Sequence, residues 1–482
     1  MRSFRLFLFC LTGLLMGIGL TSLDAQNSTP IKDFVFQSKL SVEEGAAYDA
    51  FGFELAVNQN QLWVGAPKLT QGEAGLGSVY VFAYQDGAWV KTQKLVAMDG
   101  EAGDYFGDSI FIHENIALVG APKAKMAGAA DQGAVYIFTY QQGAWSQTQK
   151  LMALDGAAGD QFGNSVFTDG HTIMVGAPLV DVGGNTDQGA IYVFTYQQGA
   201  WSQTQKLIVL DGAAGDQLGS SVKLHSKTAL ISAFMADIEG RVDQGATYVF
   251  NENNGVWVQA QKLVAVDGLA ADRLGRVAYF DGTTALLTAY FADVGGNKKQ
   301  GAVYLFTYQN GNWVQAQRLV AADGAGGDLF GVRAVMKDNL ILVGAPFADI
   351  NGNVNQGAVY MFSNQAGPWA QMQKISAPDG NYNDRFGGGL ALEGLNLLVG
   401  AYFADINGHQ DQGAVYSMVM PVTQPVVLDP VGGGEDKPST GSGETGGTGG
   451  TGEIKAKGAD SKEQVQPLPS FQGSVGCALR VK

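Results

Sequence analysis

Residues 104–151 read DYFGDSIFIHENIALVGAPKAKMAGAADQGAVYIFTYQQGAWSQTQKL. Four apolar-rich runs lie in this stretch, separated by short polar links. Gly107 to Ile112 predicts a first strand. Ile116 to Val119 predicts a second, ended by Gly120-Ala121-Pro122, because proline has no N–H to give a ladder. Gly133 to Phe138, β-branched and aromatic, predicts a third. Trp145 to Leu151 predicts a fourth, with Trp145, Gln147, Gln149 and Leu151 on one face by the two-residue period of a strand. The links of Gly, Asp and Asn suit hairpins, and no segment sustains a helical period.

The stretch is one of seven copies. Phe-Gly or Leu-Gly recurs at Phe51, Phe106, Phe162, Leu218, Leu274, Phe330 and Phe386, at a spacing of 55 and then 56 residues. An aspartate stands two residues before each: Asp49, Asp104, Asp160, Asp216, Asp272, Asp328 and Asp384. Tryptophan recurs at Trp89, Trp145, Trp201, Trp257, Trp313 and Trp369. Seven four-stranded units predict an all-β, seven-bladed β-propeller. The fourth strand is polar and carries Lys94, Lys150, Lys206, Lys262 and Arg318, which suits an outer edge. Phe36-Gln37-Ser38-Lys39-Leu40 matches a fourth strand ahead of the first copy, and the last copy stops after its third strand, Tyr416 to Met420. The N-terminal strand is therefore expected to complete blade seven and close the ring, with residues 31–420 forming one domain.

The ends read differently. Residues 1–25 have a basic head (Arg2, Arg5), an uncharged run from Leu6 to Leu23 and a small residue at Ala25, the layout of a signal peptide. No membrane span is then expected in the mature chain. Residues 421–482 become rich in Gly, Thr and Ser and read as a flexible tail. The two cysteines, Cys10 and Cys477, flank a cysteine-free repeat, so no disulfide frames the fold. An exported chain without disulfides suggests a bacterial protein, secreted, at the cell surface or periplasmic.

Composition narrows the function classes. Glycine makes up 68 of 482 residues without a Gly-X-Y period, so collagen is excluded. The net charge of −15 argues against a nucleic-acid partner. Apolar residues at 46% supply a large core and exclude a disordered chain.

Phe330-Gly331, Gly344-Ala345-Pro346 and Gly357-Ala358-Val359-Tyr360 together form the pattern of the FG-GAP repeat. Over about 390 residues the chain resembles FG-GAP repeat proteins, including the integrin α-chain propeller. The resemblance implies a seven-bladed propeller used mainly for binding. It does not carry over calcium sites, because the short links His113-Glu114-Asn115 and Lys337-Asp338-Asn339 lack the calcium loop of those relatives.

Two loops per blade are expected on one face of the disc. The link into each new blade carries Asp99, Asp155, Asp211, Asp267, Asp323 and Asp379; the loop between strands two and three carries Asp181, Asp237, Asp293, Asp349 and Asp405. That face is expected to be lined with carboxylates and to attract cations or a basic partner. Asp349, Asn351, Asn353 and Asn355 alternate oxygen-bearing side chains, as do Asp405, Asn407 and Asp411, and Asp181, Asn185 and Asp187. Ca2+ takes such ligands, whereas Asx turns use the same residues to bond their own backbone. The repeat breaks most in blades four and five, where Ser232-Ala233-Phe234 and Thr288-Ala289-Tyr290 replace Gly-Ala-Pro. Phe234, Arg241, Arg273, Arg276, Tyr290 and Phe291, with Tyr402 and Phe403 of blade seven, form a candidate ligand-binding set, because aromatics with arginine anchor interfaces. Packing between blades is the alternative role for these aromatics.

The sequence therefore points to an exported binding or adhesion module for a protein or glycan, with a purely structural or surface-assembly protein as the alternative. A carbohydrate-active enzyme comes third, because identical carboxylates in seven copies do not make one tuned acid–base pair. No catalytic residue is assigned. The oligomeric state is left open.

Overall fold

The computed structural model describes residues 32–68, 75–126 and 128–421. The expected signal peptide, the tail and both cysteines lie outside the described residues.

Among the described residues every regular element is a strand, and the strands form seven four-stranded antiparallel sheets. Blade two is Ser109–His113, Ile116–Ala121, Ala134–Gln141 and Ala144–Leu151, in that order from channel to rim. The first strand starts two residues later than the sequence pattern places it, because Gly107 sits at φ 97° and makes the turn into the channel. Blade seven orders Val35–Leu40, Ala414–Val419, Asn396–Ala401 and Phe386–Glu393. The N-terminal strand is therefore its outer strand, paired Val35↔Val419 through Leu40↔Val415, and it closes the ring as expected.

The core lies between blades. Phe106, Tyr136, Phe138 and Trp145 of blade two pack on Trp63, Val79, Val81 and Leu95 of blade one. The Phe-Gly phenyl ring is fully buried in each blade that has one, and Leu218 and Leu274 fill the same place. The glycine of Gly-Ala-Pro is dictated by this packing: a Cβ on Gly120 would stand 2.1 Å from the Gly163 carbonyl of the next blade. Backbone meets backbone in the same way at Gly65, Gly176, Gly344 and Gly400, and at these junctions only glycine permits it.

A second junction device runs around the rim. Gln149 donates to the Trp201 carbonyl at 2.7 Å and accepts from its N–H at 2.9 Å. Its amide thus imitates a strand neighbour for the next blade. Gln93, Gln205, Gln261 and Gln317 clasp Trp145, Trp257, Trp313 and Trp369 in the same way. Gln373 clasps Phe34, the residue in the tryptophan place of the closing strand. Ser38 occupies the seventh glutamine position, so the seam between blades seven and one has no such clasp among the described residues.

Candidate functional site

The two acidic loops do share one face, and the links pack on the loops: Asn185 Nδ2 donates to the Gly212 carbonyl, and Gln188 Nε2 to that of Val209. The charge expected there is largely cancelled. Asp99, Asp155, Asp211, Asp267, Asp323 and Asp379 pair one to one with Lys150, Lys206, Lys262, Arg318, Lys374 and Lys39, at 2.6–3.2 Å. Each cation comes from the polar outer strand of its blade and also covers a buried tyrosine, as Lys150 covers Tyr136 at 5.0 Å. Lys150 holds the Asp99 carboxyl below its ordinary range. The outer-strand lysines thus serve the loop face as well as guarding an edge, and the rim is a ring of ion pairs rather than an open anionic surface.

The aspartate before each Phe-Gly is architectural. All seven accept the N–H three residues upstream, as Asp104 does from Glu101 at 2.8 Å. The loops between strands two and three close on themselves in the same manner. Asp181, Asp237, Asp293, Asp349 and Asp405 each accept the N–H six residues on, at 2.9–3.0 Å. Asn351 and Asn355, Asn407 and Asp411, and Asp187 all sit at φ 52–54°, a region Asn and Asp tolerate best. Asn353 Nδ2 reaches the Gly380 carbonyl, and Asn185 does the same to Gly212. Loop closure, left-handed backbone and inter-loop bonding account for the alternation of oxygen-bearing residues. Among the described residues no group of three or more His, Cys, Asp or Glu gathers as a metal cluster.

The broken copies build something else. Ser232 has a Cβ where five of the blades have glycine and blade five has Thr288, and Gly275 of the next blade shifts to φ 157°, while its counterparts lie between 93° and 106°. The strand that follows slips by one residue, with a bulge between Val277 and Tyr279. Ser109 and Ser165 donate to the carbonyls of Gly163 and Gly219, but Ser221 turns to Val277, accepting its N–H at 3.2 Å and donating to its carbonyl at 3.4 Å. The slip pairs Arg276 with Thr288, opposite the position where blades two and three place Ser109 and Ser165. Arg276 lines the channel wall, as its counterparts Asp108, Asn164 and Ser220 do in blades two to four.

Of the candidate set, Phe234, Arg276 and Tyr290 line one cavity of about 190 Å³ with Pro178, Leu179 and Ser232. Phe291 joins through Tyr290, with ring centroids 4.8 Å apart, and Arg273 lies over Phe291 at 4.7 Å while pairing with Asp243. Arg241 stays in its own loop, paired with Glu239 at 3.3 Å. Tyr402 and Phe403 form a separate group: the Tyr402 ring packs on Phe53 of blade one. It covers Gly388, where a Cβ would be 2.0 Å from the ring.

Sequence reasoning missed the channel. Its wall of first strands encloses about 570 Å³ and carries Glu54, Asp108, Lys223, Arg276 and Arg333. Arg333 of blade six reaches past the glycine pair Gly388-Gly389 to Glu54 of blade one at 2.7 Å. Burial, with the nearby Glu54 charge, pushes the Asp108 carboxyl up to about 7. The available signal was variation itself: the positions just after Phe-Gly differ in nearly every copy while the rest repeats. Acidic side chains stand on blades one and two and cationic ones on blades four to six.

The FG-GAP repeat pattern matches residues 34–82, 89–138, 145–194, 201–250, 257–306, 313–362 and 369–418. Each match begins on an outer strand and ends in the third strand of the next blade, the same one-strand offset that closes the ring. Integrin alpha-2 of Mus musculus is 29% identical over 129 residues, covering 23% of this chain and 11% of that protein. The chain thus matches about a tenth of the length of that relative.

Proposed function

Because the chain belongs to the FG-GAP repeat family, we propose that it is an exported binding module that engages a protein partner through the loop face around its channel mouth. One observation carries this reading. Seven near-identical copies diverge at the inner end of one face, and there they gather Phe234, Arg273, Arg276, Tyr290 and Phe291. Aromatic and arginine anchors around a cavity are the usual centre of a binding footprint.

A protein suits this face better than a glycan. Just before the rim aspartates, Met98, Leu154, Leu210 and Val266 stand 76–96% exposed on four consecutive blades. Such an apolar arc beside the anchors extends the footprint beyond what a short glycan covers. The module acts by binding and not by catalysis, and a dependence on Ca2+ belongs to the same proposal as a property to be measured.

The test is a crosslinking screen on cells displaying the full chain, followed by biolayer interferometry of the captured protein. Phe234→Ala with Tyr290→Ala is expected to weaken binding at least tenfold, and Leu154→Asp with Leu210→Asp likewise. His171→Ala, on the opposite face, leaves it unchanged. Equal binding by all of these variants overturns the proposal, and so does turnover of a polysaccharide panel.

A further inference from the structure

The aromatic cavity and the channel share Asn164, Ser220, Ser221 and Arg276, so they adjoin and Arg276 borders both. Their charges are unequally satisfied. Arg333 and Glu54 neutralise each other. Lys223 has no carboxylate partner among the described residues; its ammonium lies over the rings of Phe111 and Phe167, at 5.7 and 5.3 Å. Desolvation there draws its pKa down, with Glu54 opposing. Arg276 likewise has no acidic partner among the described residues. Lys223 leans on apolar rings and Arg276 has no ion pair, so an anion held here recovers part of what their desolvation costs.

We infer that this site binds the carboxylate of an apolar α-amino acid, free or as the C-terminal residue of a peptide. The carboxylate pairs with Arg276, which borders both the cavity and the channel, and Lys223 adds positive charge to the same channel. Arginine offers a planar fork. The apolar side group enters the cavity between Phe234, Tyr290 and Leu179. A second carboxylate turned toward blades one and two meets Glu54 and Asp108 and no free cation, so the ligand is a monoacid. The inference deepens the binding reading of the loop face and rests on it where the ligand is a peptide end.

Calorimetry on the full chain tests it with L-phenylalanine, N-acetyl-L-phenylalanine and its amide, phenylsuccinate, and a hexapeptide ending in phenylalanine with a free or amidated terminus. Free acids are expected to bind at least tenfold more tightly than the matching amides, and phenylsuccinate more weakly than the monoacids. Arg276→Ser is expected to remove at least tenfold of that affinity, and Lys223→Phe a smaller part of it. Both variants import residues that neighbouring blades already carry inward, Ser109 and Phe111, so the melting midpoint reports that they fold. Binding of L-phenylalanine alone assigns a free amino acid, its ammonium facing Asp108. Binding of the N-acetyl acid and the hexapeptide assigns a chain end. Equal binding of acid and amide, no binding of either, or acid binding that survives both substitutions overturns the inference. If none of these probes binds while the captured partner still needs Tyr290, the inference fails and the reading of the face stands.

Discussion

The side-chain amide of Gln373 holds the backbone of Phe34, 339 residues away in sequence, accepting its N–H at 2.9 Å and donating to its carbonyl at 3.3 Å. Five identical clasps join the other blades, but this one alone anchors the strand that closes the ring.

Gln373→Ala removes both bonds and leaves a buried N–H unpaired. A loss of about 1–3 kcal/mol is expected, read as a lower urea midpoint. Gln149→Ala is expected to cost as much, yet only Gln373→Ala makes residues 32–40 sensitive to limited proteolysis. Equal protease resistance in the two variants contradicts the closing role.

Ser232→Gly restores the glycine that five blades carry. Gly275 is expected to return to φ near 97°, Ser221 to bond its carbonyl, and Arg276 to move out of register with Thr288. The added backbone freedom costs under about 1 kcal/mol. A crystal structure of the variant reads the outcome directly, and an unmoved Arg276 rules out Ser232 as the cause of the slip.

Asp108 gives the channel a pH dependence. Its folded pKa, about 7, lies above the ordinary carboxyl value of about 4. The folded chain therefore binds more protons between the two, and the contribution is full below about pH 4 and lost as pH rises through 7. The channel admits water, so the difference between pH 5 and 8 is discounted to about 1 kcal/mol. Glu54, Arg333 and Lys123 all act on this carboxyl. Melting curves of the wild type against Asp108→Asn isolate the effect, and parallel pH profiles would remove it.

The loops offer a test of calcium. Asp349→Asn keeps an oxygen for the Asn355 N–H and is expected to cost less than about 0.5 kcal/mol, whereas Asp349→Ala costs about 1 kcal/mol. If the carboxylates serve only their own backbone, melting in calcium and in chelator coincides. A higher midpoint in calcium shows an ion bound to the folded state.

The ring was legible because its cause is periodic. Phe106, Gly120 and Trp145 recur since each blade must offer the next the same buried ring, bare backbone and outer strand. The N-terminal closure was readable from the match of Ser38-Lys39-Leu40 to Gln149-Lys150-Leu151. Phe234, Arg276 and Tyr290 were found together because they break the pattern. Glu54, Asp108 and Lys223 were not, since a lone charge one, two or four residues after a motif gives no sign of which way it points. The neutral rim was hidden too: the partners in Asp99–Lys150 are 51 residues apart, and a count of acidic loops does not see the cation reaching back.

The closing pair also decides how the molecule bears tension. Val35 and Val419 face each other at the end of the ladder where the chain enters and leaves the ring. A pull on the two flanking segments loads that ladder as a zipper, one pair at a time, and not in shear across all of them. The seam beside it is the junction where serine replaces the clasping glutamine. Under force the disc therefore opens as a split washer at a chosen gap, while the five clasped junctions between blades one and six stay shut.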